Sequence, residues 1–280
     1  MIRVEFRKPG QPGAFDAWVA RCETAAKALK RAADVNEKLY KEQRQAYLDL
    51  FHGKCAYCEA KIVLDQHGGD VEHFRPKGAV TDEHDRPVSI RDRQGRARKH
   101  PGYYWLAYDR ENLLPSCIAC NRPKRVGDRR VGKWNRFPVT GTHASTPDDV
   151  AREQPMLLNP LVSDDDPALH MTFDPATGRL VGKTDRGRTT IEILDLNREG
   201  LPGARAEVYH SVLLRAKEIH YAELNGDDAT ANRNRAYLLQ LTRGQAAYSI
   251  AGRPAIEVYK AGLRRQIAMM TGESSTPEGK

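Results

Sequence analysis

Apolar and polar residues alternate at the start of the chain, Ile2, Val4 and Phe6 against Arg3, Glu5 and Arg7, which predicts a short strand. Pro9 to Gly13 breaks it. From Ala14 to Phe51 the spacing turns helical, with Leu39, Ala46 or Tyr47, and Leu50 or Phe51 as inward positions, and Gly53 ends the run. A turn over Asp65 to Gly69 leads into a strand over Val71 to Phe74. Thr81 to Pro101 is polar and arginine-rich around Gln94-Gly95 and reads as an exposed hairpin-like insertion. A helix is expected to open at Asn121, with Pro123 in its first turn and Gly127, Gly132 and Pro138 keeping it short. The chain is then loop-rich to Pro175, and Thr177-Gly178-Arg179 reads as a turn between strands near Met171–Phe173 and Leu180–Val181. Val208, Val212, Ala216 and Ile219 form a helical stripe, Ala236 to Leu241 and Ile256 to Ile267 predict further helices, and Gly272 to Lys280 reads as a frayed tail.

Against this background two Cys-x-x-Cys pairs stand out, Cys55/Cys58 and Cys117/Cys120. Four thiolates at this spacing fit a closed tetrahedral zinc site that clamps the ends of the segment between them. Inside that segment lie Glu72 and His73, and at its exit lies Asn121. A carboxylate and an amide oxygen suit a hard divalent cation, and an imidazole with an ordinary pKa near 6.5 suits a general base. A lone Cys-x-x-Cys is often only a zinc knuckle, and a lone Glu-His pair is usually surface. Their nesting is what points to a site.

The strings Cys55-Ala56-Tyr57-Cys58, Val71-Glu72-His73-Phe74-Arg75-Pro76-Lys77, Glu111-Asn112-Leu113-Leu114 and Cys117-Ile118-Ala119-Cys120-Asn121 resemble the HNH nucleases, which have a ββα-metal fold. Tyr104 to Tyr108, Leu157-Leu158-Asn159-Pro160 and Arg186 to Arg198 are similar to the HNH subunit of Septu-type anti-phage systems, a subunit type that also accompanies some retrons. The resemblance covers Cys55 to Arg198. It implies an α+β chain with a zinc-stapled ββα-metal core, embedded in mostly helical surroundings. It further implies Zn²⁺ on the four cysteines, Mg²⁺ or Mn²⁺ on Glu72 and Asn121, His73 as base, and Asn112 positioning the loop or the imidazole. Glu72 stands where many members carry Asp, which shifts the carboxylate by a methylene.

The expected divisions are 1–52 (strand and helices), 53–138 (nuclease core), 139–271 (mixed, then helical) and 272–280 (tail). Charge adds direction. The formal net charge is +8, and Asn121 to Arg136 holds seven Lys/Arg against one Asp. Arg122, Lys124, Arg125, Arg129 and Arg130, with Arg75 and Lys77, are therefore candidate phosphate contacts, the alternative being a solvated face. Asp148 to Asp174 reverses the sign, with seven acidic residues against Arg152, and Asp164-Asp165-Asp166 reads as an exposed turn. The region after Pro138 is an expected docking surface for a partner subunit, an ATPase by resemblance, or else a cover for the core. Five cysteines, four with metal spacing, fit a reducing compartment, and Cys22 reads as a core residue. The stretch Met1 to Gly10 lacks a signal-peptide core, and no apolar run reaches membrane length, so a cytoplasmic location with no membrane partner is expected. The expected activity is metal-dependent cleavage of DNA in anti-phage defence. A stand-alone restriction-like enzyme, an RNA- or tRNA-cutting effector and a non-catalytic zinc-dependent binding module stay open.

Overall fold

Helix formation near the start is interrupted by the sequence itself. In the computed structural model, which describes residues 1–5, 16–62, 68–91, 94–162 and 165–271, the helical run divides into α1 (Asp16–Ala28), α2 (Glu37–Lys41) and α3 (Arg44–Leu50). The break has an identifiable cause. Asn36 caps α2, its side chain accepting the Lys38 N–H at 3.0 Å, and its own N–H donates to the Tyr108 hydroxyl at 2.7 Å. Trp18 and Cys22, four apart on α1, face a core of Tyr40, Tyr47, Val71, Ala107, Tyr108 and Leu113. The indole N–H of Trp18 donates to Leu39 O at 2.7 Å and ties α1 to α2. Leu39, Ala46 and Leu50 pack against this core half-buried, and Phe51 is buried. The strand expected at Ile2 and Val4 does not form among the described residues; Val4 makes one backbone bond, to Pro160 O at 2.8 Å. Phe6, Pro9 to Gly13 and most of the Asp65 to Gly69 turn lie outside the described residues.

The central pair is β1 (Gly69–His73) against a strand introduced much later in the chain. Between them the arginine-rich insertion forms the expected hairpin, β2 (Ser89–Arg91) with β3 (Ala97–Lys99). The partner of β1 is β4 (Leu113–Cys117), antiparallel, with Gly69 opposite Cys117 and His73 opposite Leu113. From Cys117 the chain turns into α4 (Ile118–Asn121), a single helical turn. Here the sequence reading needs correction: Asn121 closes this helix rather than opening one. Arg122 precedes Pro123 and is extended (ψ 144°), as a residue before proline prefers. The basic segment instead forms a hairpin, β5 (Lys124–Val126) with β6 (Arg129–Val131), turning at Gly127 with φ +57°. Gly132 (φ +88°) brings its end back onto Arg122 so closely that a Cβ would lie 2.0 Å from Arg122 O.

Further along are the short pair β7 (Val139–Thr140) and β8 (Gln154–Pro155), then α5 (Pro167–His170), β9 (Met171–Phe173), β10 (Leu180–Gly182) and α6 (Asp185–Ile193). The expected turn joins β9 to β10, with Gly178 at φ +70°. Asp165 departs from the expected exposed turn: it is buried, pairs with Arg186 at 2.7 Å and accepts the Asn159 N–H at 3.1 Å. Asp166 caps α5, and Asp164 lies outside the described residues.

The chain divides into two units, Met1–Thr172 with Leu180–Arg198, and Phe173–Arg179 with Glu199–Lys280. The divisions expected near residues 52 and 138 fall inside the first unit. The second contains α7 (Leu201–Leu224), α8 (Asp228–Thr242) and α9 (Ser249–Thr271), with α7 packed on both others. Val212 and Ala216 of the predicted stripe are buried, together with Ala222, Ala231, Ala251 and Ala255.

Candidate active site and metal centre

Cys55 and Cys58 sit in a tight turn in which the Glu59 N–H donates to Cys55 O at 3.0 Å, with Glu59 at φ +63°. The Ala56 N–H donates to Pro115 O at 2.8 Å and lays this turn beside β4, whose last residue is Cys117. All four sulfurs therefore converge: those of Cys55, Cys58, Cys117 and Cys120 lie within 4.8 Å of one another. The Cys58 and Cys117 sulfurs are 3.8 Å apart. Four thiolates about 2.3 Å from one ion at tetrahedral angles would stand about 3.8 Å apart, so the spacing suits zinc. The four-cysteine cluster can hold a metal such as zinc.

One residue of this centre was not among the sequence candidates. Arg198, at the end of the first unit, directs its guanidinium at Cys58 Sγ (3.3 Å), Cys120 Sγ (3.5 Å) and Cys117 Sγ (3.7 Å). Burial works against its charge, but the thiolate charges of Cys120, Cys58 and Cys117 outweigh this and raise its pKa. Hydrogen bonds from Cys117, Cys120 and Cys55 hold the Cys58 thiol well below its ordinary pKa, with Arg198 adding to the effect. The only sequence signal for Arg198 was its place in the family-like Arg186 to Arg198 segment.

A cavity of about 970 Å³ runs beside β1 and is lined in part by Asp70, Glu72, His73, Asn121, Lys77, Arg122 and Trp134. The His73 Nε2 donates to Ala107 O at 3.0 Å; a carbonyl only accepts, so Nδ1 is the unprotonated nitrogen. The Tyr40 ring stands edge-on to the imidazole at 4.7 Å. Burial, then the charge of Lys77, pushes the His73 pKa down to about 3, which keeps it neutral. Glu72 is buried and pairs with Lys133 at 2.6 Å; the same ammonium donates to His73 O at 2.8 Å. Burial raises the Glu72 pKa and lowers that of Lys133, and each shift is opposed by the other's charge. The Asn121 amide nitrogen donates to Asp70 Oδ2 at 2.9 Å, which orients its oxygen as the acceptor.

The remaining sequence candidates divide. Asn112 pins a loop: its oxygen accepts the Arg75 N–H at 2.6 Å, and its nitrogen donates to Arg75 O at 3.1 Å and Leu106 O at 3.0 Å. Arg75 is ion-paired at 2.8 Å with Glu153, a carboxylate that also accepts the Tyr103 hydroxyl. Lys77 donates to the Tyr40 hydroxyl at 2.5 Å and to Glu37 at 3.1 Å. Arg122 leans on Asp70 at 3.3 Å. Lys124, Arg125, Arg129 and Arg130 are exposed on the β5–β6 hairpin, where Arg130 pairs with Asp85. Lys133 and Trp134 were missed; the first is hidden among the seven basic residues of its stretch.

Comparison with known proteins gives a consistent direction. The chain is 36% identical over 174 residues to Septu protein PtuB of Bacillus mycoides (strain KBAB4), covering 61% of this chain and 52% of that protein. It is 31% identical over 163 residues to Septu protein PtuA of the same strain, covering 57% of this chain and 20% of PtuA. With Septu protein PtuB of Bacillus thuringiensis the figures are 28% over 178 residues, 64% of this chain and 48% of that protein. The chain is thus similar to Septu proteins over about 60% of its length, and it spans about half the length of the PtuB proteins it matches. No family model matches it. No solved structure matches it significantly. Among the described residues, no helix is long and apolar enough to cross a membrane.

Proposed function

We propose that this protein is a metal-dependent endonuclease of the HNH type that hydrolyses DNA phosphodiesters as the nuclease subunit of a Septu-like anti-phage system. One observation carries the reading: Glu72, His73 and Asn121, assigned from sequence to a single reaction, line a single cavity. Lys77 and Arg122 stand on the same wall and offer positive charge to a phosphate. The second oxygen of Glu72 and the Asn121 amide oxygen are hard donors, so this donor set fits Mg²⁺ or Mn²⁺. A bound divalent ion would neutralise charge on the phosphate and on the leaving oxygen.

The protein's own contribution is positional. His73, held by Ala107 O and the Tyr40 ring, presents Nδ1 to take a proton from the attacking water. Lys133 fixes both the Glu72 carboxylate and the backbone at His73, so base and ligand keep one relation. The four-cysteine cluster, with zinc bound, would anchor β4 of the same strand pair through Cys117. The exposed Lys124, Arg125 and Arg129 add affinity for a phosphate backbone without reading sequence. The similarity to PtuB and PtuA supports work in defence beside a partner subunit, an ATPase in this reading.

The test is single-turnover cleavage of DNA and of RNA with Mg²⁺ or Mn²⁺, by wild type and by His73→Ala, with and without the product of a neighbouring gene. The expected result is cleavage of DNA by the wild type and a loss of about 10²–10⁴-fold in the variant with its fold intact. Equal rates in the two proteins would remove His73 from its role, and RNA cleavage alone would replace the substrate.

A further inference from the structure

Trp134 is the exposed member of an otherwise sheltered set. The indole of Trp18 is buried and that of Trp105 half-buried, whereas Trp134 is 48% exposed and stands on the cavity wall with Glu72, His73 and Asn121. Its backbone adopts φ +47°, a conformation that costs a bulky residue energy. Two contacts hold it there: its N–H donates to Asn121 O at 2.7 Å, and its carbonyl accepts from Lys133 Nζ at 3.4 Å. The ring is thus carried on a strained and fixed backbone, between a residue that grips Glu72 and a residue of the proposed metal set. A folded chain gains more from burying an indole than from leaving half of it in water.

Resting on the nuclease reading above, we infer that Trp134 is a stacking platform for an unpaired base next to the scissile phosphate. An aromatic face binds any base without reading sequence, and a base paired in a duplex does not offer its face to it. Arg122, on the same wall, is suited to a phosphate of the same strand. The preferred substrate is therefore single-stranded, or locally unpaired, at the cut. This is a statement about substrate form that neither the cysteines nor Glu72 and His73 provide.

The test uses the full chain in the His73→Ala background, so that binding is read without cutting. Binding is followed by the fluorescence anisotropy of a labelled single-stranded oligonucleotide, of the matching duplex, and of a strand abasic at successive positions. Trp134→Gly is the informative variant, because glycine is at ease at φ +47° and so removes ring and strain together. It should melt at the same temperature or higher while losing tenfold or more in single-strand affinity, with duplex affinity little changed. Trp134→Phe should recover most of the loss, and one abasic position should reproduce it. Equal losses on both substrates, or a lower melting temperature with binding unchanged, would make Trp134 a structural residue and overturn the inference. The two readings fail separately: a wild type that neither binds nor cuts nucleic acid removes the nuclease, whereas tight single-strand binding indifferent to Trp134 removes only the platform.

Discussion

The cysteine cluster and the cavity beside β1 share the β1–β4 pair, and both answer a concentration of negative charge with a cation from far along the chain. Arg198 reaches the sulfurs from 140 residues beyond Cys58, and Lys133 reaches Glu72 from 61 residues away. The difference is access. The sulfurs close on one another within 4.8 Å, whereas Glu72 opens on a cavity of about 970 Å³. A closed ligand set commits its bonding capacity to holding the chain together. An open one leaves donors for a substrate, which is where chemistry belongs.

If that contrast is right, the largest effect comes from the closed end. Removing zinc with a strong chelator, or Cys58→Ser, should withdraw metal binding worth about 10–16 kcal/mol, against a typical domain stability of about 5–15 kcal/mol. Loss of cooperative melting, followed by circular dichroism with zinc content measured alongside, is the expected outcome; an unchanged melt would demote the cluster to four buried thiols. At the open end, Lys133→Met should destabilise by about 3–5 kcal/mol, because it strands a buried carboxylate. Adding Glu72→Gln should recover part of this, and a denaturant melt of the double variant reads the coupling. Arg198→Gln should weaken zinc binding by about 1.5–3 kcal/mol, the worth of hydrogen bonds to charged groups, with Arg198→Lys intermediate. Competition against a chromophoric chelator measures this without reference to activity. The smallest effect should follow charge reversal of Lys124, Arg125 and Arg129: melting unchanged, with the log–log salt slope of duplex binding lower by about 0.9 for each phosphate no longer neutralised. A slope that does not move would put the nucleic acid elsewhere.

The sequence made the closed end more legible than the open one. Thiolate pairs two residues apart are a local pattern, and the four cysteines meet where their spacing implies. Glu72, His73 and Asn121, picked out by their nesting with those pairs, line one cavity. What stayed hidden depends on contacts between distant segments. Nothing near Lys133 distinguishes it from Arg129 or Arg130, yet it is wholly buried while they are exposed. Arg75 lies in a basic string but pairs with Glu153, and Asp165, in an acidic run, turns inward to Arg186. The helix expected from Asn121 failed for a local reason that was readable: a residue before proline is pushed to extended backbone, and Gly127 then permits a hairpin. The helical pattern from Ala14 to Phe51 did not show where its helices divide; Asn36 caps a new one, and a tertiary bond to Tyr108 holds the break.

The register of β1 against β4 has a consequence for how such chains can vary in length. Side chains alternate along a strand, so one residue inserted between Gly69 and His73 would turn either the carboxylate or the imidazole away from its place while Cys117 stayed in the cysteine cluster. The β1–β4 pair is a ruler five residues long, and it cannot be edited in single steps. The β2–β3 hairpin carries no such constraint, since it leaves and rejoins the chain between the two strands of the ruler. Variation among relatives of this chain should therefore accumulate as insertions and deletions around Gln94-Gly95, where new surface can be added without disturbing the β1–β4 register.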